Sequence, residues 1–184
     1  MKFKETVKVI IIVLVVFLSF MVLHNIIGTS MFEHSSWDTY DLQAEAWING
    51  RNYLDHDYPH LELAVYKDNY YVSFPPFPSV ILFPFVLIMG LENVPDHFII
   101  CCIVAINVVV AYKILKKHKT NEFFSILIAV GLVLGSNMVS MATNSGPWFI
   151  AQALNMLLCT LAVGFFLKDK RTSTYICLAL AVRM

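Results

Sequence analysis

Eight of the thirteen carboxylates in the chain fall between residues 29 and 75: Glu33, Asp38, Asp41, Glu45, Asp55, Asp57, Glu62 and Asp68. Arg51 and Lys67 are the only lysine or arginine among them. A carboxylate can take a proton from a hydroxyl group if its surroundings tune its pKa toward that task. Asp38 suits this best. It directly follows Trp37, shortly after a long apolar run, and so falls near a membrane interface, where a carboxylate is partly desolvated. Its neighbours Asp41 and Glu45 push its pKa in the same direction. For most of the other acids a solvated helix face is sufficient explanation, because isolated surface charges contribute little. His34, His56 and His60 share the segment with Asp55 and Asp57. Asp and His are ordinary ligands of a divalent metal. Their spacing here matches no specific pattern, so no metal ligand and no cofactor is assigned. There is no Gly-rich phosphate loop and no Ser/His/Asp arrangement.

Local elements must hold these groups in place. Ser35 and Ser36 are N-cap types, Asp38 suits a first turn, and Gly50 suits the position just past a helix end. Trp37, Tyr40, Ala44, Trp47 and Ile48 recur at helical spacing and make one apolar face, with Asp38, Asp41 and Glu45 on an opposing stripe. The spacing predicts a short helix over residues 37–49, lying apolar face down on the membrane surface with its aromatic rings at headgroup level. Residues 63–66 and 70–74 read as two strands joined by Lys67-Asp68-Asn69.

The rest of the chain is apolar. Of 184 residues, 58% are hydrophobic and 14% charged, with a mean hydropathy of +0.68. A soluble domain carries about 25% charged residues. The deficit excludes a water-soluble globular fold and a disordered one. Thirteen Lys+Arg against thirteen Asp+Glu leave no net positive field for nucleic acid. Cys101, Cys102, Cys159 and Cys177 lie in apolar runs and read as packing material. Asn107 and Asn137 read as interhelical hydrogen-bond partners. His24 reads as an interfacial or packing residue.

A bilayer core of about 30 Å needs about 20 apolar residues in a helix. Such runs cover residues 9–27, 76–91, 98–112, 123–142 and 148–167. Another starts near Tyr175 and ends at Met184 after about half a span. A helix that stops in mid-bilayer leaves unpaired carbonyls, so a longer native protein is expected. Lys2, Lys4 and Lys8 precede the first run, which is longer than a signal-peptide core and lacks a small-x-small cleavage site. The expectation is an uncleaved helix with its N-terminus in the cytoplasm, and an extracytoplasmic segment 29–75. The fold class is therefore an all-α polytopic membrane protein. A single transmembrane domain, residues 1–184, carries a long first extracytoplasmic loop with a short interfacial helix and a small hairpin.

Charge bias places Lys113, Lys116, Lys117 and Lys119 in the cytoplasm, together with Lys168, Lys170 and Arg171. Alternation through every run would put both clusters outside. If the run 76–91 is re-entrant or tilted, both fall inside. Pro75, Pro76, Pro78 and Pro84 interrupt that run, which favours the re-entrant reading.

The stretch Asp38-Thr39-Tyr40-Asp41-Leu42-Gln43-Ala44-Glu45-Ala46-Trp47-Ile48-Asn49-Gly50-Arg51 resembles the segment after the first helix of GT-C-type membrane glycosyltransferases. Tyr70-Tyr71-Val72-Ser73-Phe74-Pro75-Pro76-Phe77-Pro78 is similar to the family's approach to a Pro-Pro element, and a run ending at Gly90 follows. The resemblance covers roughly residues 1–167. It is nearest to the bacterial branch related to protein O-mannosyltransferases and lipid A aminoarabinose transferases. It implies transfer of a sugar from a polyprenyl-phosphate donor to a lipid, glycan or protein acceptor on the outer face of the membrane. Asp38 is the matching position for the general base. Asp41, Glu45, Arg51, Lys67 and Tyr71 are the candidates for substrate binding, with Arg51 or Lys67 in place of the donor-phosphate contact that the family draws from the residue before its Pro-Pro pair. The implied partners are membrane lipids and the donor, and the implied location is a bacterial cytoplasmic membrane. The resemblance is to the N-terminal portion of the family only, without the later helices and C-terminal domain that complete its pocket, and the chain departs from the family in two further places. Thr39 follows Asp38 where a second acid is common, and Phe74 precedes the Pro-Pro pair where Lys or His is common.

Other classes compete with this reading. A transporter segment fits the Pro-interrupted runs, but residues 9–167 carry no strongly charged residue at the centre of a run. A non-catalytic scaffold or a truncated remnant fits the abrupt end at Met184.

Overall fold

A computed structural model describes residues 2–183. The chain is mostly helical, with one small sheet. Helix α1 spans Lys2–Ile27, α2 Thr39–Ile48, α3 Phe77–Met89, α4 Asp96–Lys117, α5 Glu122–Leu134, α6 Met138–Thr143, α7 Pro147–Phe166 and α8 Arg171–Ala181. Strands β1 (Leu63–Tyr66) and β2 (Asn69–Val72) form an antiparallel hairpin. Lys4–Ile27, Asp96–Lys117 and Pro147–Phe166 are long and apolar enough to cross a membrane.

Helix α4 is the hub. It packs against α1, α5, α6 and α7, and Ile100, Cys101, Val104 and Val108 are fully enclosed. Helix α1 meets it along a single stripe. Ile12, Val16, Phe20 and His24 recur every fourth residue and are buried, whereas Ile10, Ile11, Leu14 and Leu18 face outward. So broad an apolar outer surface is costly in water and suits a lipid surround. The expected single run over 123–142 is two helices instead. The break falls at Gly135-Ser136-Asn137, where the Ser136 hydroxyl donates to the Leu132 carbonyl at 2.7 Å.

Side-chain contacts sort the helix ends into two groups. At one end, Lys8 Nζ lies 2.6 Å from Glu122 Oε1, the Tyr112 hydroxyl donates to Glu5 at 3.2 Å, and Lys117 donates to the Leu167 carbonyl at 3.1 Å. The start of α1, the end of α4, the start of α5 and the end of α7 therefore meet, with both basic clusters beside them. At the opposite end, His24 stacks on His97 with 5.0 Å between centroids, and Phe74 meets Trp148 edge-on, also at 5.0 Å.

Helix α3 does not span this distance. Its 13 residues cover about 20 Å. It packs mainly on α2, where Ser79 donates to Gln43 Oε1 at 2.7 Å. The chain enters α4 at the same end at which segment 29–75 sits. That segment has a small core of its own: Leu42, Ala46 and Leu54, with Tyr58, Leu61, Leu63, Tyr70, Val72 and Leu91 packed around them.

Two local structures set this segment. Helix α2 is shorter than the expected 37–49 and starts after Asp38. It ends in a Schellman motif: Gly50 takes φ +72°, Arg51 N–H donates to the Ala46 carbonyl at 2.8 Å, and Gly50 N–H to the Trp47 carbonyl at 3.0 Å. The hairpin turns through two residues, Lys67 and Asp68, both at positive φ (49° and 60°), as a primed turn requires. Strand β2 consequently starts at Asn69, one residue earlier than the sequence suggests.

Candidate functional site

Segment 29–75 and the start of α4 converge on His34. Its Nδ1 lies 2.9 Å from Asp96 Oδ2 and its Nε2 lies 3.7 Å from Asp38 Oδ2. Asp96 opens α4 directly after Pro95, and its Oδ2 also accepts the Ser35 N–H at 2.7 Å. Asp41, in the first turn of α2, completes the group. His34, Asp41 and Asp96 each offer one ligand-type atom within 4.8 Å of the others. Three carboxylates thus surround one imidazole.

Burial and charge decide how these groups hold protons. Asp38 first, then Asp96, keep the His34 imidazole protonated, raising its pKa to about 10 against the opposing cost of desolvation. Burial pushes the Asp41 carboxyl far above the usual carboxylate range. The facing Asp96 adds to that shift, and His34 opposes it. The site therefore favours the imidazolium form of His34 and the protonated form of Asp41. The Asp38 side chain keeps 16% exposure against 2% for Asp96, and Asp41 is buried. Asp38 is thus the carboxylate of this group within reach of a substrate.

A cavity of about 520 Å³ lies alongside. His34, Trp37, Thr39 and His97 contribute to its wall, as do Phe74 and Trp148, and Glu33 and Glu62 are the carboxylates on it. Asp38 does not line it, but its chain neighbours Trp37 and Thr39 do, and so does His34, 3.7 Å from its carboxylate.

Asp38 and Asp41 were expected on one stripe opposite the apolar face of the helix. The structure brings both to His34 and buries Asp41, because α2 turns that face toward α4. Glu45, one turn further on, shares with Asp38 and Arg51 the electrostatic surroundings of Tyr58. Arg51 is ion-paired with Asp55. Lys67 sits at the hairpin turn with its ammonium 5.2 Å from the Tyr66 ring centre. Tyr71 packs near Tyr53 on β2. The contacts of Arg51, Lys67 and Tyr71 are local to their own segments. Trp37, expected at headgroup level, is exposed and meets His60 edge-on at 6.0 Å.

Sequence reasoning missed Asp96 and His97. Their signal was an acid and a histidine at the very start of a membrane-length helix, immediately after a proline. Both are positions where a charged group is expensive unless it is paired. His34, Asp55, Asp57, His56 and His60 were weighed together as ligands. Only His34 belongs to the cluster the structure assembles. No protein-family model, curated protein or solved structure matches this chain.

Proposed function

We propose that this chain is the membrane part of an extracytoplasmic glycosyltransferase of GT-C type, which moves a sugar from a polyprenyl phosphate to a hydroxyl acceptor. The observation that carries the reading is the partly exposed carboxylate of Asp38, held against His34 beside an aromatic-rimmed cavity at one end of an apolar helical bundle. A donor whose tail lies in lipid and an acceptor that arrives from water can meet at such a place.

In the reaction, Asp38 takes the proton of the acceptor hydroxyl as its oxygen bonds to the anomeric carbon. The bond from that carbon to the phosphate oxygen breaks, and polyprenyl phosphate leaves. His34, bridging Asp38 and Asp96, holds the base in place. Trp37, Phe74 and Trp148 offer faces on which a sugar ring can pack. Positioning two bound reactants supplies much of the rate. The finer localisation belongs to the same proposal: the basic end of the bundle lies in the cytoplasm of a bacterium, and the His34 cluster lies outside.

Transfer is tested with the intact protein in proteoliposomes, supplied with a sugar-loaded polyprenyl phosphate and a hydroxyl acceptor. Release of polyprenyl phosphate matched by labelled acceptor is the expected result. If sugar moved only from a soluble nucleotide donor, the proposal would be wrong. Orientation has its own check. A topology reporter fused after Thr120 is expected to be active on the cytoplasmic side, and cysteines at Trp37 and Tyr66 to be labelled from outside. Labelling of those cysteines from the cytoplasm alone would invert the assignment.

A further inference from the structure

We propose that His34, Asp41 and Asp96 form a binding site for a divalent transition-metal ion, with Zn²⁺ the best fit. One donor atom from each residue lies within 4.8 Å of the others. A tetrahedral site with bonds of about 2.1 Å places its ligands about 3.4 Å apart. The three side chains therefore need to close by roughly an ångström, within the reach of ordinary rotamer adjustment.

A second observation points to a cation. Asp41 is 3% exposed and Asp96 2% exposed, and one oxygen of each, Oδ1 in both cases, is buried without a hydrogen-bond partner. A buried carboxylate oxygen with nothing to accept from is expensive, and both of these belong to residues of the cluster. A bound cation satisfies both oxygens at once.

The donor set selects the ion. One imidazole nitrogen and two carboxylates suit Zn²⁺, which takes three protein ligands and leaves a fourth position open. Mg²⁺ and Ca²⁺ call for six or more oxygens. The surroundings are those of an oriented ligand. If Nδ1 binds the ion, Nε2 carries the proton and faces Asp38 Oδ2 at 3.7 Å, the carboxylate–histidine–metal arrangement. The Ser35 N–H, 2.7 Å from Asp96 Oδ2, fixes the second ligand. None of this depends on the chain transferring sugars.

The experiment uses the purified chain in detergent, stripped by a chelator and titrated with Zn²⁺ against a chromophoric competitor. One ion per chain is expected. Asp41→Asn and Asp96→Asn should each weaken binding by more than the roughly 10–100-fold that loss of an orienting partner costs. His56→Gln with His60→Gln, on the same segment but outside the cluster, should leave the affinity unchanged. Asp41→Asn keeps the size and shape of the side chain, and its zinc-free melting curve, recorded beside that of the parent, separates ligand loss from misfolding. The inference is overturned if the parent chain binds no stoichiometric Zn²⁺, if folded Asp41→Asn binds as tightly as the parent, or if the paired histidine substitutions abolish binding.

Discussion

Asp38→Asn is expected to slow sugar transfer by about 10²–10⁴-fold, the usual cost of losing a positioned general base. The substitution keeps the shape of the side chain and much of its hydrogen bonding, and it removes the basic oxygen. Donor affinity should barely move, because the carboxylate acts on the acceptor hydroxyl. Glu45→Gln, two turns along the original stripe, should have a mild effect. The instructive comparison is Glu33→Gln. Glu33 is on the cavity wall, whereas Asp38 lies beside it, against His34. Single-turnover transfer in proteoliposomes discriminates between them. Undiminished turnover in Asp38→Asn, or abolition by Glu33→Gln alone, would move the base to the cavity wall.

Asp96→Ala should destabilise the zinc-free fold by about 3–5 kcal/mol, the cost of removing one member of a buried ion pair and leaving the other uncompensated. Asp96 is 2% exposed, and it ties segment 29–75 to α4 through His34 and the Ser35 N–H, residues about sixty positions away in the chain. Without it, His34 keeps the longer contact to Asp38 and the 3.2 Å contact of its Nδ1 with the Val94 carbonyl, and a buried N–H loses its acceptor. Asp96→Asn keeps an acceptor for Ser35 and should cost less. Arg51→Ala breaks the ion pair with Asp55, whose side chain is largely exposed, and should stay within about 1 kcal/mol. Chemical denaturation in detergent, read by tryptophan fluorescence, checks the ranking. Equal stability of Asp96→Ala and Arg51→Ala would show that the His34–Asp96 contact does not hold the segment in place.

Several features follow from residue type and neighbours alone. Apolar runs of membrane length needed no tertiary information, because 1.5 Å per residue and a bilayer of fixed thickness set the count. The end of α2 at Gly50 was equally legible, since a Schellman motif requires a residue that tolerates positive φ. So was the hairpin around Lys67 and Asp68, whose alternating flanks bracket a short polar turn. Composition pointed to an apolar chain compatible with a membrane, because hydropathy is additive over residues. Each of these properties is set within a few positions of the residue concerned.

The tertiary structure decided what depends on which elements meet. Helical spacing assigned Asp41 to a solvated stripe, but periodicity says only that residues share a face, not what that face touches. Here it touches α4, and Asp41 is buried. The role of Asp96 could not be read from Pro95-Asp96-His97, because its partners His34 and Ser35 lie about sixty residues earlier. The candidate site is made of non-local pairings, and local propensity carries no information about them. The conflict over the basic clusters had the same origin. Hydropathy scores 76–91 as a span, but only the packing of α3 along α2 shows that the chain starts α4 at the end it had already reached. The runs of α1, α4 and α7 and the turns were settled by local chemistry. The burial of Asp41, the path of α3 and the assembly around His34 were settled by contacts between distant segments, where desolvation and charge pairing act together.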